Sequence, residues 1–221
     1  MISFLYKNSN KGSPLAQIDI IFNHEELAED VRKYIIDIYK KNYDATIYPN
    51  PDVFIAYKDR ITGDLLACTG ISFRHSLKQL FSESYLNAPL SEVILKKTNC
   101  MIDEENIIEV GSLASNNPSA VGNMLHILPF LLWFMGYEAV IFTATSRLSK
   151  ILAFYRIPFS ILATASIECI PEEERKLWGS YYDQSPKTVV VLLEQCVELF
   201  GRIRSNLTFI DFEGIHRNFL N

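Results

Sequence analysis

The sequence lacks the positive charge and the cysteine spacing that mark several large protein classes. Its 221 residues include 21 basic and 26 acidic side chains, which give a formal net charge of -5. Because nucleic-acid binding usually requires a basic surface, nucleic acid is excluded as a main partner. The four cysteines (Cys68, Cys100, Cys169 and Cys196) form no CxxC pair. We therefore expect neither a zinc site nor a disulfide framework, but free and mostly buried thiols.

A secretion signal and a membrane span are also missing. The N-terminal stretch "MISFLYKNSNKGSP" has no basic region followed by a sustained apolar core and no small-residue cleavage site. We therefore expect a cytoplasmic protein. The most apolar stretch runs from Met124 to Phe142, but Pro129, Gly136 and the β-branched segment "AVIFTAT" divide it. This composition predicts a buried helix followed by a strand, each too short to cross a bilayer.

Catalytic signatures of hydrolases and nucleotide-hydrolysing enzymes are absent as well. There is no GxSxG, no P-loop and no pair of catalytic carboxylates. The four histidines are scattered without metal-ligand spacing, so no metal site is predicted.

The composition is that of an ordinary globular protein, with 48% hydrophobic and 21% charged residues. We predict a single domain over residues 1–199 and a C-terminal extension over 200–221, which holds a short helix and a turn from Asp211 to Gly214. A strand at 16–23 is followed by a helix that Asn23 caps, then by a hairpin with its tip at 62–64 and by two short helices around Pro89.

From residue 106 the hydrophobic pattern alternates between strand and helix. The predicted elements are a strand at 106–114, a helix at 119–135, a strand at 138–145, a helix at 146–156, a strand at 158–164 and a last strand in "TVVVLLEQ". This alternation predicts an α/β fold around a mixed sheet.

The order of elements resembles the Gcn5-related acyltransferase fold, and "AFYRIPF" at 153–159 resembles the end of that family's penultimate helix. Four further motifs, "LFSESYLNAPL", "IIEVGSLAS", "VIFTAT" and "WGSYYDQSP", resemble the bacterial thermostable hemolysin family over roughly residues 20 to 195. The resemblance implies a mixed, mostly antiparallel sheet with a splayed central strand pair and flanking helices. It also implies kinship with the acyl-homoserine-lactone synthases, which take their acyl group from an acyl carrier protein.

Three residues are the catalytic candidates. Glu109 interrupts an apolar strand, where it either faces solvent or, as the resemblance to homoserine-lactone synthases implies, faces a site as a general base. Ser112 stands where the hemolysin family usually has Asn, and a bulge at Gly111 would bring it to the same side of the strand as Glu109. Tyr155 either packs or, as the acyltransferase resemblance implies, protonates the leaving thiolate.

The turn "SLASNNPSA" is the candidate donor site. Ser115, Asn116 or Asn117 caps the following helix, and the backbone amides there are either free to face an anion or part of an ordinary helix start. The donor-binding candidates are Gly111, Leu113, Ala114, Ser115, Asn117, Ser119 and Gly122.

The acceptor candidates come from the predicted strand at 138–145, from the aromatic turn at 178–183 and from the motif "LFSESYL", which contains Glu83. Thr143 and Thr145 are either ordinary strand residues or contacts for the acceptor, and the aromatic turn at 178–183 either plugs the edge of the sheet or forms a wall of the site. The acceptor-binding candidates are Thr143, Thr145, Trp178, Tyr181, Tyr182, Asp183 and Glu83.

The predicted function is the transfer of a fatty acyl group from an acyl carrier protein or acyl-CoA thioester to an amine or amino acid. The donor would be a substrate, so no tightly bound cofactor is expected. The alternatives are a membrane-active protein, as the family label suggests, and a protein that binds acyl ligands without turnover. The membrane-active alternative lacks a strongly basic amphipathic face.

Overall fold

In the part of the chain that the structure describes, the fold is built on one sheet of nine strands. The computed structural model describes residues 1–7, 15–74, 79–204 and 207–209. The strands are β1 (Ile2–Lys7), β2 (Leu15–Phe22), β3 (Val53–Asp59), β4 (Leu65–Phe73), β5 (Ile107–Ser115), β6 (Ala139–Ala144), β7 (Ser160–Thr164), β8 (Lys187–Leu192) and β9 (Leu207–Phe209). They lie in the order β7-β8-β6-β5-β4-β3-β2-β1-β9. Among these nine described strands only β5 and β6 are parallel neighbours, which confirms the predicted mixed, mostly antiparallel sheet.

Helices cover both faces of the sheet. They are α1 (Leu27–Tyr43), α2 (Leu90–Thr98), α3 (Pro118–Phe134), α4 (Ser146–Phe154), α5 (Glu172–Arg175) and α6 (Val197–Arg204). Alternate residues of each strand point to opposite faces. On β3, for example, Ile55 belongs to the core under α3, whereas Phe54 belongs to the core under α1. A third apolar cluster includes Ile94 of α2 with residues of β6, β7 and β8, and it lies on the α1 side of the sheet.

Most of the predicted elements are confirmed. The hairpin forms between β3 and β4, with Gly63 at its tip in a left-handed conformation. The pair of short helices around Pro89 is a 3-10 turn at Phe81–Tyr85 and α2. The alternation from residue 106 is present as β5, α3, β6, α4 and β7, each within a few residues of the predicted bounds.

Two predictions at the N-terminal end were wrong or incomplete. The first seven residues contain β1, which was not predicted although Ile2, Phe4 and Tyr6 alternate and are buried. Asn23 does not cap α1, because the helix begins one turn later, after Glu26. The Asn23 side chain instead contacts Arg32 and Asn50.

The C-terminal segment rejoins the sheet. β9 comes from the predicted extension and pairs with β1, after α6 has packed Phe200 against α3. The division at residue 199 stays a prediction, and the predicted turn from Asp211 to Gly214 lies outside the described residues.

The thiols and the apolar helix were also part of the sequence-based expectations. All four cysteines are free, but only Cys68 and Cys196 are buried, while Cys169 is exposed, so the expectation of mostly buried thiols was half right. Over the described ranges, no helix is both long and apolar enough to span a membrane.

Candidate active site

The centre of the candidate site is a gap between two neighbouring strands. β5 and β6 are paired only from Ile107 opposite Ala139 to Glu109 opposite Ile141. Past that point β5 stays paired with β4 as far as Ser115, and β6 stays paired with β8 as far as Ala144. The parallel pair therefore parts just after Glu109, which confirms the predicted splay.

A bulge in β5 changes which side its residues face. Gly70 lies opposite Gly111 and Cys68 lies opposite Ala114, so Thr69 alone opposes two residues of β5, Ser112 and Leu113. The bulge is thus one residue later than predicted, and Ser112, with φ 55°, takes the left-handed conformation. Because the alternation shifts there, Val110 packs under α3 while Ala114 packs under α1. The Thr69 hydroxyl donates to the Gly111 carbonyl at 2.7 Å and supports this geometry.

A cavity of about 780 Å³ passes through the gap. On the α1 side its walls include Tyr39, Tyr43, Trp178 and Tyr181. On the α3 side it continues as an apolar arm between the helix and the strands β6 and β8. The residues that line this arm are Val121, Leu125, Leu128, Pro129, Leu132, Val140, Phe142, Leu148, Ile151, Leu152, Ile157, Val191 and Leu193.

Glu109 lies at the wall of the cavity with only 6% of its surface exposed. Burial raises its pKa to about 7, and the neighbouring charge of Glu83 adds to the rise. Hydrogen bonds from the Ser82 hydroxyl and from the amides of Phe81 and Ser82 lower the pKa and offset part of the effect of burial. A carboxyl group with this pKa can accept a proton near neutral pH.

The structure brings about half of the predicted site residues to the cavity. Those that line it are Glu109, Gly111, Ser112, Leu113, Ser115, Thr143, Thr145, Trp178 and Tyr181. Those that do not are Glu83, Ala114, Asn117, Ser119, Gly122, Tyr155, Tyr182 and Asp183.

The start of α3 differs from the predicted anion site. Of the three candidate caps, the structure selects Asn117, whose side-chain oxygen accepts from the amides of Ser119 at 3.0 Å and Ala120 at 3.2 Å. Pro118 has no amide hydrogen, and the amide of Val121 bonds the Asn117 carbonyl. The first turn of α3 therefore leaves no amide free for an anion, because the chain's own cap uses them.

Tyr155 lies beside α3 and not at the cavity. The position that a Cβ of Gly122 would take is 1.9 Å from the Tyr155 hydroxyl oxygen, so the absence of a side chain at Gly122 makes room for the phenol. The ring also contacts His126, with centroids 6.4 Å apart. Of the two alternatives for Tyr155, this geometry matches packing.

The aromatic turn forms a wall of the cavity. Trp178 stacks on Phe81 with centroids 5.4 Å apart, and Tyr181 bonds the Thr143 carbonyl at 3.3 Å. Tyr182 points elsewhere, to the Tyr85 hydroxyl at 2.5 Å, and Asp183 is exposed.

Glu83 is buried away from the cavity. Its carboxylate pairs with Arg74 and accepts from the amide of Leu80 at 2.9 Å. It therefore anchors the 3-10 turn at Phe81–Tyr85 rather than facing an acceptor.

Several residues of the site were missed in the sequence. Ser82 bonds Glu109 from a turn 27 positions earlier in the chain, and no local pattern signals such a contact. Tyr39 and Tyr43 belong to a clear amphipathic helix, which suggested only core packing. Arg147 lies two residues after Thr145, the cap of α4, and lines the cavity as a cation.

The comparisons with known proteins agree with this geometry. The sequence profile described as thermostable hemolysin matches residues 22–197. The chain belongs to the thermostable hemolysin family. This confirms the resemblance seen in the four motifs. No curated relative matches the chain by sequence.

Solved structures show how this family member is folded. It is similar to FeeM, an N-acyl amino acid synthase from uncultured soil microbes, with TM-score 0.55 and 10% identity over 86% of this chain and 96% of that one. It is similar to the acyl-homoserine-lactone synthase LasI, with TM-score 0.54 and 10% identity over 90% of this chain and 100% of that one. It is also similar to BjaI, a CoA-dependent acyl-homoserine-lactone synthase solved with SAM and isopentyl-CoA. The TM-score is 0.53, with 12% identity over 85% of this chain and 89% of that one. The chain thus has the Gcn5-related acyltransferase fold.

Proposed function

We propose that this protein is an N-acyltransferase that moves a fatty acyl group from a thioester onto an amine or amino acid. The observation that carries the proposal is the buried carboxyl of Glu109, with a pKa raised to about 7, at the wall of a cavity that opens where β5 and β6 part. The likeness to FeeM, LasI and BjaI supports it, since those proteins are named as synthases of N-acyl amino acids or acyl-homoserine lactones.

In the proposed reaction the amine attacks the thioester carbonyl directly. A C–N bond forms, the C–S bond breaks, and Glu109 takes the proton of the attacking amine, directly or through water. Past Glu109 the backbone of β5 has lost β6 as a partner, so an amide there can bond the carbonyl oxygen as it gains negative charge. The thiolate leaves and takes a proton from solvent, because Tyr155 does not line the cavity.

The cavity has two parts that suit the two substrates. The apolar arm under α3 suits a fatty acyl chain, because its lining is aliphatic and aromatic. The side under α1, with Tyr39, Tyr43, Trp178 and Tyr181 near the carboxyl, suits the amine. The donor is a phosphopantetheine thioester, carried by an acyl carrier protein or as acyl-CoA, and it is a substrate rather than a resident cofactor.

The test is direct. Purified protein is incubated with acyl thioesters of different chain lengths, on carrier protein and on CoA, together with amino acids and simple amines. Mass spectrometry should find the corresponding amide, and none should form with heat-denatured protein. If folded protein makes no amide from any donor, yet releases dye from liposomes by itself, the membrane-active alternative is correct.

The structure gives that alternative little support. It requires an apolar helix that can meet a membrane, and α3 is the apolar candidate. Ten of the seventeen residues of α3 are buried, and the helix packs on the sheet and on α6. Exposing them would cost the burial energy of much of the core.

The rate of acyl transfer should rise with pH through about 7. Glu109 must be ionised to accept a proton, and burial raises its pKa to about 7, so below that pH the carboxyl is protonated and inactive as a base. The measurement is kcat/KM against pH at saturating thioester. A rate independent of pH between 5.5 and 8.5, roughly the window around such a pKa, would contradict this role.

Arg147 should select acceptors that carry a carboxylate. It lines the cavity, and it forms no ion pair with any residue in the described part of the chain. The positive charge of Arg147 also interacts with Tyr43: burial raises the pKa of Tyr43, and the charge of Arg147 offsets part of that rise. We expect Arg147→Ala to raise KM for amino acids about tenfold, because an exposed charged contact is a modest one. KM for amines without a carboxylate should not change.

Lys150→Ala is the matched control for Arg147→Ala. Lys150 is exposed on the same helix and does not line the cavity. If both variants raise KM equally, or if Arg147→Ala affects all amines alike, a carboxylate contact is not the reason.

A further inference from the structure

A buried serine connects the two strands that part at the site. Ser82 belongs to the 3-10 turn at Phe81–Tyr85 and is 0% exposed. Its amide donates to Oε1 of Glu109 at 3.0 Å, and its hydroxyl donates to the same oxygen at 2.5 Å. The hydroxyl oxygen also lies 3.1 Å from Oγ1 of Thr143. Glu109 is on β5 and Thr143 is on β6, so one side chain bridges both edges of the gap.

The direction of this chain of hydrogen bonds follows from the number of hydrogens. A serine hydroxyl has one hydrogen and can accept as well as donate. Since an ionised carboxylate can only accept, the Ser82 hydrogen points to Glu109. Thr143 therefore donates its hydrogen to Ser82, and a line of hydroxyls runs from the cavity wall to the carboxylate.

We propose that Ser82 is a positioning residue, which orients the carboxyl of Glu109 toward the cavity and stabilises its ionised form through a hydroxyl relay from Thr143. This inference rests on the proposed function, because it assigns Glu109 as the base. It adds Ser82, a residue on a turn outside the sheet, to the site residues Glu109 and Thr143 on the strands.

The turn that holds Ser82 is itself anchored. Glu83, the next residue, accepts from the amide of Leu80 and pairs with Arg74, the residue just after β4. Arg74 also pairs with Glu104 at 2.6 Å, in the segment that leads into β5. These contacts tie the turn to both flanking strands, so the serine has little freedom to move away from the carboxylate.

The other titratable groups around Glu109 do not replace this role. Glu83 raises the pKa of Glu109, so it opposes ionisation, although its own charge is compensated by Arg74. Tyr85, on the same turn, and Tyr181, on the wall of the cavity, both interact with the charge of Glu109, and burial raises the pKa of each phenol far above its ordinary value. Both phenols are therefore neutral near pH 7, which leaves Ser82 and the two turn amides as the groups that stabilise the carboxylate.

The experiment compares Ser82→Ala with Ser84→Ala. Ser84 lies two residues later on the same turn and is exposed, and among the described residues its hydroxyl bonds only the Phe81 carbonyl. The titration of Glu109 is followed by carbon NMR of protein labelled at the glutamate side-chain carboxyls, with Glu109→Gln used to assign the signal. This readout needs no turnover, so it separates a failure of the positioning role from a failure of the proposed reaction.

We expect Ser82→Ala to raise the pKa of Glu109 by about one unit, because a hydrogen bond to a charged group is lost. The acidic limb of the kcat/KM profile should move up by the same amount. Ser84→Ala should move neither. Thr143→Val removes only the outer hydroxyl and should give a smaller shift in the same direction, which Thr143→Ser restores.

Two outcomes would overturn the positioning role. One is an unchanged titration of Glu109 in Ser82→Ala. The other is an equal shift in Ser84→Ala, which would indicate a general loosening of the turn. If Ser82→Ala does not fold, Thr143→Val decides the question, because the side chain of Thr143 is only half-buried. An unshifted titration of Glu109 in Thr143→Val rejects the relay. A shifted titration without any acyl transfer would leave the positioning role standing and reject the proposed function.

Discussion

Replacing Glu109 with Gln should lower kcat/KM for acyl transfer by about 100-fold to 10,000-fold, the range that a positioned general base contributes. Gln has nearly the same shape, and its side-chain oxygen can still accept the two hydrogen bonds from Ser82. What it cannot do is take a proton from the attacking amine. The measurement is the initial rate of amide formation, by mass spectrometry, at a pH above 7.

Two checks separate lost chemistry from lost structure. Because burial raises the pKa of Glu109 relative to the unfolded chain, ionising it costs stability as the pH rises through 7. The neutral Gln avoids that cost, so above pH 7 we expect Glu109→Gln to unfold at a temperature no lower than that of the wild type. Glu105→Gln, at an exposed site just before β5, should keep full activity. A Glu109→Gln variant with near-normal turnover would end the proposal that this carboxyl is the base.

Filling the apolar arm should change which acyl chains the protein accepts. Leu125 lies on α3, about one turn in from Val121, and lines the arm with only 6% of its surface exposed. We expect Leu125→Trp to reduce kcat/KM for dodecanoyl thioesters about 100-fold. The reason is that roughly four methylenes lose their burial at about 0.8 kcal/mol each. Butanoyl thioesters, which do not reach the filled part, should react as before.

Leu95→Trp is the matched control for this substitution. Leu95 is exposed on α2 and does not line the cavity. The chain-length series is measured for both variants under the same conditions. If Leu125→Trp slows short and long thioesters equally while the protein stays folded, the arm does not hold the acyl chain.

The order of elements could be predicted because each depends on local pattern. β5, α3 and β6 each have their own hydrophobic period, and the hairpin has glycine where the turn needs it. β1 was missed although it alternates, because its short apolar stretch was weighed only as a targeting signal. β9 comes from a weak three-residue pattern that is a strand only because β1 offers it an edge.

The candidate site was less predictable, because its contacts join distant parts of the chain. The charge of Glu109 inside an apolar strand was visible, and it does lie at the cavity. The residues that set its pKa were not visible, since Ser82 and Tyr181 come from turns whose place depends on the whole fold. Asn117 was named correctly among three caps, but the cap it forms uses the very amides that were expected to bind an anion.

The sequence alone determined the family, the order of the strands from β2 to β8 with most of the helices between them, and the presence of a carboxylate in the strand before the apolar helix, because motifs and hydrophobic periods are properties of short segments. Only the tertiary structure decided that β5 and β6 part just after Glu109, that the bulge falls at Ser112 and that Ser82 meets the carboxylate. These features depend on pairing between strands and on packing between turns. Such interactions are set when distant segments compete for the same partners, so no single segment specifies them.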